Sequence, residues 1–123
     1  MPAEAGHAPF AYAGLDRLFH ERARLGIVTS LASHDGGLAF AELKRLCGLT
    51  DGNLHRHLQV LVEAGYVNIE KDQSRGRAVT TCRLSDEGRR RFLDYLAVLE
   101  GALREATRAA SNEDASRRVG KPA

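Results

Sequence analysis

The chain has 123 residues with a formal net charge of +2; 28% of its residues are charged and 6% aromatic. That length supports one small core, often helped by a partner subunit, and no stretch of 18 apolar residues is present to span a membrane. The N-terminus lacks a basic segment followed by an apolar one, and Cys47 and Cys82 form no Cys-x-x-Cys pair. With 34 residues between the two cysteines, these features argue against a secretory signal, a disulfide framework and a zinc knuckle, and the expected location is the cytoplasm.

Residues 1–10 carry Pro2, Gly6 and Pro9 and read as a flexible N-terminus. Leu15, Leu18 and Phe19 suggest a short amphipathic helix. A second helix follows at 21–33 with Leu25, Val28, Leu31 and Ala32 inward, closed by the turn residues 34–37. Residues 38–40 suggest a short strand. Residues 41–47 read as a short helix with Leu43, Leu46 and Cys47 on one side, and Gly48 is placed to end it in a left-handed conformation.

The next helix, residues 50–64, is the most informative stretch. Leu54, Leu58, Leu61 and Val62 fall at i, i+4, i+7 and i+8 and form one apolar stripe. The opposite face carries Gly52, Asn53, Arg56 and Gln59, a surface of donors and acceptors with little bulk. Thr50 is a plausible N-cap, and Asn53 at the third helical position puts an amide where a capping box would have a carboxylate. Asn and Arg suit bidentate contacts to base edges.

Gly65 ends that helix. Residues 66–71 alternate as a strand with Val67 and Ile69 on one face, residues 73–77 form a turn, and residues 78–84 make a second β-rich run. Lys71, Arg75 and Arg77 give this hairpin a basic tip against one acid, Asp72, within reach of phosphates. A lone basic hairpin would be no more than a solvated turn, but after such a helix a nucleic-acid contact is the better reading. Ser85, Asp86 and Glu87 open a last helix with a cap and first-turn acids. Its stripe of Phe92, Tyr95, Leu96, Leu99 and Leu103 exceeds what one small core absorbs, which calls for a partner helix. Residues 110–123 lose hydrophobicity and read as a flexible tail.

Helix, turn, helix and basic hairpin make a winged helix-turn-helix. The runs Leu15-Asp-Arg-Leu-Phe-His20, Ala41-Glu-Leu43, Gly48-Leu-Thr-Asp-Gly-Asn-Leu54, Arg56-His-Leu58, Glu63-Ala-Gly-Tyr-Val67, Thr80-Thr81 and Arg83-Leu-Ser-Asp-Glu-Gly88 carry a family likeness. Over roughly residues 15–100 the chain resembles the small single-domain MarR/ArsR-like winged-helix transcriptional regulators. It departs from the nearest subgroup at His55, where a small hydroxyl residue is usual, and at Cys82, where an aromatic often stands.

The expected fold is mainly α with a small β-hairpin wing, flanked by N- and C-terminal dimerisation helices. Residues 11–103 would form the domain, 1–10 a flexible start and 104–123 the helix end and tail. Double-stranded DNA would meet Thr50, Asp51, Gly52, Asn53, His55, Arg56, Gln59, Lys71, Arg75 and Arg77. A homodimer would form on Leu15, Leu18, Phe19, Phe92, Tyr95, Leu96, Leu99 and Leu103. The resemblance implies a repressor, with the sign of regulation and any small-molecule effector left open.

No nucleophilic site is recognisable around His7, His20, His34, His55 or His57, and no phosphate-binding loop is present, so no enzymatic activity and no cofactor are expected. An ArsR-like metal or redox sensor is the nearest rival. His55 and His57 point about 200° apart on a helix and cannot chelate one ion together, and Cys47 and Cys82 each have a packing role available. A winged helix that binds only protein would be favoured by an acidic wing or an apolar recognition face, and the sequence has neither.

Overall fold

The computed structural model describes residues 8–73, 76 and 78–120. The expected flexible start therefore falls mostly outside the described residues. The elements, in chain order, are α1 (Arg22–Ala32), β1 (Leu38–Ala39), α2 (Phe40–Cys47), α3 (Asp51–Glu63), β2 (Val67–Asp72), β3 (Val79–Leu84) and α4 (Asp86–Gly120). The winged helix-turn-helix read from the sequence is the fold observed.

Residues 13–20 form turns rather than the short helix expected from Leu15, Leu18 and Phe19. Asp16 explains the difference. Its carboxylate accepts the Leu18 amide at 2.9 Å, and its carbonyl accepts the amides of Phe19 and His20, so one local turn competes with a continuing helix. Glu21 then caps α1 by accepting the Arg24 amide at 2.8 Å.

Asp16–Leu93 form one compact unit. Its core gathers Phe19, Ile27, Val28, Leu31, Leu43, Leu54, Leu58, Leu61, Val67 and Cys82, each at most 1% exposed. Phe19 stacks on Tyr66 at 5.1 Å between centroids and meets Phe92 edge-on at 5.4 Å. Such aromatic pairs contribute about 0.5–1.5 kcal/mol beyond their area. On α1 the inward residues are Ile27, Val28 and Leu31, while Leu25 and Ala32 lie at the margin.

The sheet is antiparallel with order β1-β3-β2. Leu38 and Ile69 flank Cys82 from opposite sides, which places Cys82 in the central strand and buries it fully. Ile69 lies on the edge strand and is 40% exposed, so the expected buried face of β2 is reduced to Val67.

Ser85 fastens the sheet to both flanking helices. Its hydroxyl accepts the Gly88 amide at 2.9 Å, capping α4, and donates to the Gly65 carbonyl at 2.7 Å beyond the end of α3. A Cβ on Gly88 would lie 2.3 Å from the Tyr66 carbonyl oxygen, so only glycine fits this crossing without backbone movement. Arg89 ties the first turn of α4 to the end of α1, donating to Asp35 at 3.0 Å and to the Ala32 carbonyl at 3.4 Å.

The remaining described residues, before Asp16 and after Leu93, form a second unit. A Cβ on Gly14 would stand 2.9 Å from Val98, so the N-terminal segment runs close against α4 there. Helix α4 continues to Gly120, well past the Leu103 at which the sequence reading closed the domain. Ala-rich sequence with the Glu100–Arg104 and Glu105–Arg108 ion pairs sustains a helix despite its low hydrophobicity. Residues 103–112 are exposed along this helix.

Candidate nucleic-acid interface

The recognition helix is built locally. Gly48 ends α2 at φ 63° and ψ 38°, and the amide of Leu49 returns to the Lys44 carbonyl at 3.2 Å. This left-handed cap, cheap for glycine alone, makes the turn between α2 and α3 tight. Thr50 then starts α3 by accepting the Asn53 amide at 3.1 Å. Leu54, Leu58 and Leu61 anchor the helix in the core, whereas Val62 is 38% exposed and lies on the rim of the stripe rather than in it.

Those anchors leave Asp51, Gly52, Asn53, His55, Arg56 and Gln59 exposed together on the outer surface of α3. Within this group Arg56 donates to the Asn53 amide oxygen at 3.2 Å. The pair presents N–H donors outward, with the Asn53 oxygen already engaged. Asp51 is paired with Lys44 at 2.8 Å, so its carboxylate at the start of α3 is neutralised by α2. Thr50 uses its hydroxyl oxygen in the cap and acts first on the backbone. Lys44 had no place in the sequence reading, since nothing in a linear pattern shows that the turn brings position 44 against position 51.

His57 lies on the flank of α3 with a side chain 12% exposed. Its Nδ1 is 3.2 Å from a guanidinium nitrogen of Arg24 and 3.9 Å from the Glu21 carboxylate. Arg24 also donates to the Leu18 carbonyl at 2.7 Å, binding the start of α1, the preceding turn and α3 into one joint. Glu21 in that joint has its carboxyl held below the usual carboxylate range, first by the Arg24 amide, with lesser help from the His57 and Arg24 charges and against the effect of burial. Periodicity in the sequence does not show this role of Arg24.

On the wing, Lys71 is exposed opposite Thr80. Arg83 is committed to structure, bridging Glu70 at 2.6 Å and the Gly36 carbonyl at 2.9 Å. Arg75 and Arg77, the other two expected wing contacts, lie outside the described residues. The expected dimer residues divide. Phe19, Phe92 and Tyr95 are buried within the chain, Leu15, Leu18 and Leu99 are half-buried, and Leu96 and Leu103 are 37% and 60% exposed. Leu93, absent from that set, is 60% exposed.

Cys82 is enclosed, and burial pushes its thiol up to about 11. Cys47 lies 3.7 Å from the Ser30 hydroxyl in an open groove of about 840 Å³ between α1 and the end of α2. Among the described residues no three His, Cys, Asp or Glu side chains converge as a metal site, and no helix is long and apolar enough to cross a membrane.

The anchored helix, the tight turn before it and the β2–β3 wing after it define a winged helix-turn-helix domain. Residues 23–103 match the family described as winged helix DNA-binding domain. A relative from Methanocaldococcus jannaschii, the uncharacterized protein MJ0432, is 35% identical over 83 residues, covering 65% of this chain and 86% of its own. A transcriptional regulator homologue from Pyrococcus horikoshii superposes with a TM-score of 0.69 at 26% identity, over 72% of this chain and 87% of that one. The fold is shared as well with MepR of Staphylococcus aureus, solved as a DNA complex, at a TM-score of 0.63, 12% identity and 86% coverage of each chain. The chain belongs to the winged helix DNA-binding domain family, and its neighbours among solved structures include MarR-family transcriptional regulators.

Proposed function

We propose that the protein is a sequence-specific regulator of transcription that binds double-stranded DNA as a homodimer and acts as a repressor. The observation that carries this reading is the outer face of α3. Its core stripe is fully used, and what remains is a clustered set of donors led by the Arg56–Asn53 pair. Thirteen helical residues span about 20 Å, and the first turns of such a helix fit a major groove about 12 Å wide.

In this reading Arg56 reads a base edge, Asn53 orients it, and Gln59 and His55 border the contact. Lys71, with Arg75 and Arg77, supplies phosphate contacts from the wing. Thr50 and Asp51 build the start of the helix. The dimer forms on the apolar residues α4 leaves uncovered, Leu96 and Leu103 with Leu99 beside them, and residues 11–103 contain the DNA-reading part. Two α3 helices related by a two-fold axis would meet half-sites about one helical turn apart, the general geometry of helix-turn-helix dimers. A DNA target places the protein in the cytoplasm in this reading.

Selection of bound duplexes from a random DNA pool tests the reading. The expected product is a pseudo-palindrome whose halves are centred about ten base pairs apart. Recovery of sequences with no shared motif would refute sequence-specific binding.

A further inference from the structure

Six of the twelve glycines have an internal explanation. Gly37, Gly48, Gly65 and Gly76 occupy left-handed backbone conformations, and a side chain at Gly14 or Gly88 would collide with Val98 or with the Tyr66 carbonyl. Gly52, like Gly36 and Gly101, has neither reason, and of these three it alone lies on α3. It sits inside α3 with no left-handed φ, it is exposed, and a Cβ built on it meets no atom of the chain within 4 Å. Glycine is a poorer helix former than alanine, so at this position the fold would gain from a side chain.

The position is specific. Gly52, Arg56 and Gln59 stand at i, i+4 and i+7 and form one ridge of the exposed face, with Asn53 beside them. The clasped Arg56–Asn53 pair is therefore flanked by a stretch of bare backbone. On the other side the Lys44–Asp51 ion pair closes the first turn and removes the charge that would repel a phosphodiester chain.

We infer that Gly52 is the point of closest approach between the α3 backbone and the DNA, and that its missing side chain sets how deeply Arg56 enters the groove. This rests on the DNA-binding reading above and assigns a positioning role within it. Filling the position would hold the helix away from the base edges while leaving the fold intact or improved. Stability and affinity would then move in opposite directions, which a merely structural glycine cannot produce.

The test uses the full chain and the duplex most enriched by the wild type. Gly52→Ala and Gly52→Leu are compared in thermal midpoint and in anisotropy titration, with Gly101→Ala as control. Gly101 is also helical and open, but it lies about 200° round α4 from Leu103 and beside the Glu100–Arg104 ion pair. Gly52→Ala is expected to raise the thermal midpoint and weaken binding about tenfold or more, the cost of losing one good base contact, with Gly52→Leu weaker still. Gly101→Ala should raise the midpoint and leave affinity unchanged. Wild-type affinity in both Gly52 variants would overturn the inference while leaving DNA binding in place. Loss of affinity together with loss of thermal midpoint would also overturn it, since a folding defect would then suffice. A wild type that enriches no duplex would remove the reading and the inference together.

Discussion

Helices α3 and α4 each hold a part of their surface in the core and leave a part over, and the two leftovers differ in kind. On α3 the buried stripe of Leu54, Leu58 and Leu61 is complete, and the outer face carries Asn53, Arg56 and Gln59. On α4 Phe92 and Tyr95 are buried while Leu93, Leu96 and Leu103 remain exposed. An exposed polar face costs the folded chain little and offers hydrogen bonds. An exposed leucine forgoes about 1.5–3 kcal/mol of burial. The polar surplus suits a partner rich in acceptors, and the apolar surplus suits another protein surface.

The largest effect is expected where α3 loses its support. Leu58→Ala should destabilise the fold by about 2–5 kcal/mol, read from the denaturant midpoint, because the side chain is 1% exposed and its cavity cannot be filled by water-facing neighbours. A loss below about 1 kcal/mol would mean that α3 is not fixed by its inner face.

The outer face of α4 should behave in the opposite way. Leu96→Glu combined with Leu103→Glu is expected to leave the unfolding midpoint nearly unchanged while abolishing self-association in sedimentation, at about 1.5–3 kcal/mol per leucine and subunit. DNA affinity should fall with it, since a monomer loses the linked second half-site. A double variant that remains dimeric would move the interface to other residues, with Leu15 and Leu18 the next to substitute.

Gly88 sharpens the contrast within α4, whose first turn is as tightly placed as its later turns are open. Gly88→Ala should cost about 1–3 kcal/mol in thermal unfolding, because the new Cβ would press on the Tyr66 carbonyl. An unchanged midpoint would show that the crossing can relax.

The smallest effect concerns the joint beside α3. Glu21→Ala should cost about 1 kcal/mol, the worth of an ordinary cap. The Glu21 carboxyl is lowered in the folded state from an ordinary value near 4.5. Its contribution is therefore present above about pH 4.5 and lost as pH falls through the folded value, so wild type and variant should converge in acid. A difference that grew toward low pH would reverse the sign and contradict the assignment.

What could be read from the linear chain was whatever depends on neighbours three or four residues away. The Leu54, Leu58, Leu61 stripe, the Thr50 cap, the Gly48 terminator, the Ser85 cap and the short strand at Leu38 were all legible in that way. The contacts between elements were not. Lys44 with Asp51, Arg24 with His57 and Ser85 with Gly65 depend on how the helices meet. Ile69 and Val62 were placed inward by periodicity, but Ile69 falls on the sheet edge and Val62 on the helix rim. At Leu15, Leu18 and Phe19 the apolar spacing was real, and the Asp16 turn overrode it. The end of α4 was missed because helix propensity without an apolar stripe was read as absence of structure.

The claim on which the rest depends is that the outer face of α3 reads sequence while the wing adds affinity. Anisotropy titration of the wild type and Arg56→Ala against the selected duplex and a scrambled one, at two salt concentrations, tests it most directly. Arg56→Ala should lose about 1–3 kcal/mol on the selected duplex and little on the scrambled one, whereas Arg77→Ala should weaken both and reduce the salt slope by about one. Binding indistinguishable from wild type by the combined Arg56→Ala, Arg75→Ala, Arg77→Ala variant would contradict the account.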